Sequence, residues 1–151
     1  MSEHHAGVRW KRESADFTYE TYNRSHTMIF KDGKVTLPAS ASPTYRGDAA
    51  LVDPEEAYIA SLSSCHMLTF LAICAKKRIT VDSYEDDASG KLQKGPDGKW
   101  WVTHVTLRPS VRFAPDANVD AKLLAHLHED SHRDCFIASS VKTDVRVEPR
   151  Q

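Results

Sequence analysis

Between Asp53 and Arg78 the chain carries one helix signal that constrains everything around it. Asp53 stands as N-cap and Pro54 at the first helical position, and Glu55 and Glu56 suit the positive N-terminal end. Lys76, Lys77 and Arg78 close the run with charge suited to a C-terminus. Ala57–Ala75 between them, AYIASLSSCHMLTFLAICA, is apolar or small almost throughout. Such a helix is about 36 Å long. A helix apolar nearly all round must be buried nearly all round. In a chain of 151 residues that requires a sheet on one side and a second subunit on another.

The flanking segments read as strands. Thr27–Leu37, TMIFKDGKVTL, is two short apolar runs joined by Lys31-Asp32-Gly33-Lys34. Asp-Gly in that place signals a hairpin, because a type I′ turn needs positive φ at both central positions. Phe17–Tyr22 has the Thr and aromatic content of a strand, while residues 1–13 are polar and read as loose. After the helix, Ile79–Leu92 and Trp100–Phe113 flank the turn cluster Lys94-Gly95-Pro96-Asp97-Gly98. The second run alternates apolar and polar residues as a half-buried strand, with Pro109 placing its later part at an edge or bulge. Val119–Glu129 is an amphipathic helix with Val119, Leu123, Leu124 and Leu127 inward, a short helical segment follows from Cys135, and Val141–Val147 is a closing strand. The order is that of an α+β domain rather than a βαβ repeat, a single domain over residues 1–151.

Composition excludes some functions. Twenty basic against twenty-one acidic residues, a net charge of −1, lack the basic excess of a nucleic-acid binder. No apolar run approaches the ~20 residues of a membrane span, so no membrane partner is expected. The first residues, MSEHHAGVRWKRESADF, lack the apolar region of a secretory signal, and a cytoplasmic location is expected.

Three cysteines are too few, and odd in number, for a disulfide framework. Cys74, between Ile73 and Ala75, reads as core packing. Cys65 lies mid-helix in Ser63-Ser64-Cys65-His66, where small hydroxyl residues leave space around the sulfur. Cys135 follows His132-Arg133-Asp134, 70 residues away, so any partnership between the two is tertiary. Zinc would accept Cys65-His66 with His132-x-x-Cys135, but neighbouring helical residues point about 100° apart and do not easily share one ion. His66 and His132 are read as packing or hydrogen-bonding residues.

The stretch Asp53-Pro54-Glu55-Glu56-Ala57-Tyr58-Ile59-Ala60-Ser61-Leu62-Ser63-Ser64-Cys65 resembles the (N/D)PEE…AxxxxC helix of the OsmC/Ohr family, the osmotically inducible and organic-hydroperoxide-resistance proteins. The likeness runs on through His66–Leu71 and resumes around Cys135–Val147. It includes the hairpin, where Arg24 stands nine residues before Gly33 and Lys34-Val35-Thr36-Leu37-Pro38 follows. The resemblance covers roughly Phe17 to Val147. It implies an OsmC-like fold, antiparallel sheets wrapped around a long buried central helix in an intertwined homodimer. It also implies a thiol-dependent peroxidase that favours organic hydroperoxides over hydrogen peroxide. Carried over by motif, Cys65 is the peroxidatic cysteine, Cys135 the resolving cysteine, and Arg24 with Glu55 the activating pair. A dithiol, small or lipoyl-type on a protein, restores the thiols, and no cofactor or metal is implied.

The chemistry asks for such a set. Only a thiolate attacks the O–O bond, a permanently charged guanidinium favours it, and a carboxylate holds that guanidinium by a bidentate pair. Glu55 and Cys65 are about 15 Å apart along one helix, so a single Arg of the same chain would struggle to touch both. Composite sites are therefore expected, with Cys65 and Cys135 from one chain and Arg24 and Glu55 from the other. Arg46, in the loop before the helix, is the rival guanidinium, and Glu55 has an alternative role as a first-turn capping residue. Two departures from the family stand out: Phe136 rather than Pro follows Cys135, and Ser63-Ser64 rather than Ala precedes Cys65. Two readings compete with the peroxidase. One is a non-catalytic dimer of this fold binding a small apolar or thiol-reactive ligand, the other a zinc-stabilised structural domain.

Overall fold

The computed structural model describes residues 1–150, which divide into two compact units, one ending at Ala57 and one beginning at Tyr58. The first unit holds a three-stranded antiparallel sheet in the order β1 (Ala6–Arg9), β2 (His26–Phe30), β3 (Val35–Ala39). Asp32 and Gly33 take positive φ of 55° and 88°, and the Lys34 N–H closes on the Lys31 carbonyl, as the Asp-Gly signal requires. Lys31 is positive as well, with φ 53°, so the ladder stops at Phe30↔Val35.

Two readings of this region change. Residues 1–13 include β1, whose pairing with β2 rather than any apolar pattern makes it a strand. Phe17–Tyr22 is not a strand but a turn. Thr21 Oγ accepts from the Thr18 N–H at 3.1 Å, and the Tyr22 N–H reaches the Thr18 carbonyl at 3.1 Å. The aromatics pack on one another, Phe17 lying 5.9 Å from Trp10 and 5.6 Å from Tyr22 between ring centroids. Strand propensity needs a pairing edge, and local hydroxyl bonds offered the backbone another solution.

The long helix α1 (Pro54–Lys76) starts on a reciprocal cap: the Glu56 N–H donates to Asp53 at 2.8 Å and the Asp53 N–H to Glu56 at 3.1 Å. Its buried residues, Leu62, His66, Phe70 and Cys74, recur every fourth position and form one stripe. Within one chain burial is thus confined to a single face rather than extending all round, and Leu68 opposite is 60% exposed. Contrary to the reading that no apolar run is long enough, α1 could cross a membrane by length and composition alone. Its buried stripe, packed on sheet and helix as described below, is that of a core helix.

In the second unit the two long strands expected after α1 each break and change sheets. β4 (Val81–Asp86) pairs with β7 (Pro109–Phe113), while β5 (Ser89–Lys94) pairs with β6 (Trp100–Leu107). The corner is fixed by Asp86, whose carboxylate accepts the Arg108 N–H at 2.5 Å and the Ser63 hydroxyl of α1 at 2.5 Å. Pro109 thus opens a strand with a single partner, where a missing N–H is tolerated.

Helix α2 spans Ala121–Asp134, later at both ends than the spacing suggested. Asp120 caps it by accepting the Leu123 N–H at 2.7 Å, so Val119 lies outside but still packs on the core. Arg133 extends the last turn by pairing with Asp130 and Asp134. The expected short helical segment is the 3-10 turn Ala138–Ser140, and the final strand β8 is confined to Asp144–Val147. β8 runs parallel to β6, a departure from the expected antiparallel sheets, because α2 supplies the crossover that parallel strands need.

The core has two parts along α1. Leu62 packs with Val105 and Leu107 against the β5-β6-β8 sheet, and Phe70 and Cys74 pack with Leu127 between β4-β7 and α2.

Candidate functional site

The second unit brings the two predicted redox cysteines together. Cys65 sits mid-way along α1, and Cys135 is the residue at which α2 ends, its ψ of 116° turning the chain out of the helix. The Cys135 thiol donates to Cys65 Sγ at 2.7 Å. A disulfide bond is about 2.0 Å long, so the sulfurs need to approach by about 0.7 Å to join.

The two thiols are not equivalent. Cys135 is 1% exposed and Cys65 partly exposed, so of the two Cys65 is the one solvent reaches. Burial, reinforced by the hydrogen bond to Cys65, pushes the Cys135 thiol up to about 11, which keeps it protonated and donating. The Ala138 N–H contacts Cys135 Sγ at 3.4 Å, and Ser139 donates both its N–H and its hydroxyl to the Cys135 carbonyl at 3.0 Å. The Cys135 backbone is thereby pinned. Cys74 is buried on the α1 stripe with its thiol raised by burial, and it packs in the core as the sequence suggested.

Arg24 and Glu55 lie in the first unit. The Arg24 guanidinium donates to the Tyr22 and Tyr19 carbonyls and stacks on the Tyr22 ring at 3.7 Å. Its Nε is buried without a partner among the described residues. Arg46, with φ 63°, lies 5.9 Å from the Tyr19 ring, so both guanidinium candidates border one tyrosine. Gly47 beside it has to be glycine, because a Cβ there would sit 1.5 Å from the Ala41 carbonyl oxygen. Glu56, not Glu55, performs the capping, so the alternative role of Glu55 in the cap is not the one observed. Among the described residues Glu55 makes no ion pair.

Sequence reading did not single out His128. It is 3% exposed on α2, and its Nδ1 lies 3.1 Å from Nε2 of His66, which is 1% exposed. The rings are near-parallel, at 9°, and Phe70 stacks on His128 with centroids 4.5 Å apart. Burial, then the neighbouring His128 and His132, lowers His66 to about 4. Burial lowers His128 to about 4 as well, opposed by Asp86. The available signal was positional: His128 directly follows Leu127 and stands four residues after Leu124, on the inward face of an amphipathic helix. His66 is the packing and hydrogen-bonding residue expected. Among the described residues no three His, Cys, Asp or Glu side chains are placed to hold a metal ion.

Comparison with known proteins agrees with this architecture. The family model described as "OsmC-like protein" matches residues 47–150. An OsmC-like protein of unknown function from Vibrio cholerae O1 biovar eltor is 48% identical, with a TM-score of 0.94 over 99% of this chain and 100% of that one. An organic hydroperoxide resistance protein OsmC from Legionella pneumophila shares the fold at 13% identity, TM-score 0.77, over 100% of this chain and 98% of that one. The organic hydroperoxide resistance protein OhrB of Bacillus subtilis does so at 17% identity, TM-score 0.71, over 99% and 98%. Comparison with curated protein sequences yields no match. A family match over most of the chain, together with a near-identical fold at 48% identity, places this protein in the OsmC-like family.

Proposed function

We propose that this protein is a cytoplasmic thiol-dependent peroxidase that reduces organic hydroperoxides, and hydrogen peroxide more weakly. The observation that carries the reading is the thiol pair itself, a partly exposed Cys65 in hydrogen-bond contact with a buried Cys135 at 2.7 Å. Family membership and the shared fold with two organic hydroperoxide resistance proteins support it.

In the first step the Cys65 thiolate attacks the terminal peroxide oxygen and the O–O bond breaks. Cys65 becomes a sulfenic acid and the alkoxide leaves, taking a proton to become the alcohol. The Cys135 sulfur then attacks the sulfenic sulfur. An S–S bond forms, the S–O bond breaks, and water departs with the Cys135 proton. A cellular dithiol, small or protein-borne, returns both thiols and is itself oxidised to a disulfide. Arg24, Glu55 and a homodimer that supplies them from the partner complete the proposal. Its support is that Arg24 is pre-oriented by its own loop, that the Glu55 carboxylate is not engaged in capping, and that α1 leaves Leu68 60% exposed.

The test is thiol counting and intact mass after one equivalent of cumene hydroperoxide, with hydrogen peroxide in parallel. Loss of two thiols mapped to a Cys65–Cys135 disulfide, faster with the organic peroxide, is expected. Three unreacted thiols under both oxidants would overturn the reading in favour of a non-catalytic ligand-binding dimer.

A further inference from the structure

The same two helices that supply the thiols also supply a buried imidazole pair. On α1, His66 directly follows Cys65. On α2, His128 lies two turns before Cys135. These elements therefore meet at two points, Sγ to Sγ at 2.7 Å and Nε2 to Nδ1 at 3.1 Å.

The second contact exists only while at least one ring is neutral, because two imidazolium rings are all donors and like charges. Around it, His66 faces His128 and His132 of α2, and His128 faces His66 of α1 and Asp86 of β4. Tyr84 of β4 packs on Phe70, which stacks on His128. Asp86 is the one acid in this set, and its carboxylate already accepts from Ser63 and from the Arg108 N–H. The remaining ring nitrogens, His66 Nδ1 and His128 Nε2, are buried with no protein partner among the described residues. A first proton is shared within the Nε2–Nδ1 bond, but a second meets like charge and leaves no acceptor nitrogen between the rings, and the direct relief is for α2 to draw away from α1.

We propose that His66 and His128 are positioning residues for the thiol pair: their ring-to-ring hydrogen bond holds α2 against α1 so that Cys135 meets Cys65, and protonation of both rings opposes disulfide closure. The proposal rests on the redox reading of Cys65 and Cys135 given above. The lowered protonation of both rings agrees with it. By reciprocity, a disulfide that tethers α2 to α1 must make the second proton harder to add, since it blocks the separation that would relieve the charge.

The experiment is an NMR titration of the His66 and His128 ring signals in dithiol protein and in protein oxidised to the Cys65–Cys135 disulfide. The signals are assigned with His66→Gln and His128→Gln, and Cys135→Ser serves as a form that cannot close. Midpoints lower by about one pH unit or more in the disulfide form, with Cys135→Ser titrating like the dithiol, support the proposal; one unit corresponds to a tenfold loss in the closure equilibrium on protonation. Equal midpoints in the two redox forms would overturn it. Failure to obtain the disulfide with peroxide or with diamide would instead overturn the redox reading, so the two failures are distinguishable. If a Gln variant fails to fold, the assignment is made from the contact between His128 and Phe70 in the native protein.

Discussion

At the scale of residues, the asymmetry between the cysteines makes different predictions for each. Cys65→Ser removes the accessible sulfur, and peroxide consumption should fall to the uncatalysed rate. Cys135→Ser should still consume the first equivalent but stop at a Cys65 sulfenic acid, seen as a one-oxygen mass gain and labelling by dimedone, and should overoxidise with a second equivalent. If Cys135→Ser is as inert as Cys65→Ser, the division of roles is wrong. Cys74 tests the opposite case. Cys74→Ser places a hydroxyl in an apolar cluster of Phe70 and Leu127, so it should cost about 1–3 kcal/mol in denaturant unfolding while leaving peroxide turnover intact.

At the scale of elements, the corner at Asp86 and the α1–α2 contact each carry a prediction. Asp86 serves Ser63 of α1 and the backbone of the β6–β7 junction at once. Asp86→Ala orphans both donors and should cost about 1–3 kcal/mol, read as a lower urea midpoint. Asp86→Asn should recover part of the loss, because its carbonyl still accepts one bond. The imidazole pair sets a pH dependence. Both rings are held at about 4 in the fold, against 6.5 in the unfolded chain. The unfolded chain therefore binds more protons in that interval, and stability should be full above pH 6.5 and decline as pH falls toward 4. A urea midpoint that stays flat across this window in the native protein, or declines equally in a doubly substituted His66→Gln, His128→Gln protein, would assign the acid sensitivity elsewhere.

At the scale of the whole molecule, α1 buries one stripe and leaves Leu68 60% exposed on the other side. A second copy of the chain is the proposed cover for this side of α1. Light scattering at micromolar concentration should give twice the 17.0 kDa chain mass. Leu68→Glu should shift the population to monomer and, if the partner supplies Arg24 and Glu55, lower peroxide turnover with it. A monomer in the native protein would remove the composite-site arrangement.

Much of this was legible in the chain because local chemistry determines it. The Asp53 cap, the apolar run of α1, the Asp-Gly turn and the amphipathic α2 each state their own conformation within a dozen residues, and the family motif picks out Cys65 and Cys135. What only the tertiary structure decided lies where distant segments compete for the same backbone. Phe17–Tyr22 has strand residues but no edge to pair with, the two long strands break because Asp86 gathers α1 and the β6–β7 junction at one carboxylate, and β8 runs parallel because α2 carries the chain across. The 2.7 Å thiol contact and the His66–His128 hydrogen bond belong to the same class. Neither follows from spacing, since 70 and 62 residues separate the partners, and each exists because packing around Phe70 and Leu127 sets α2 on α1.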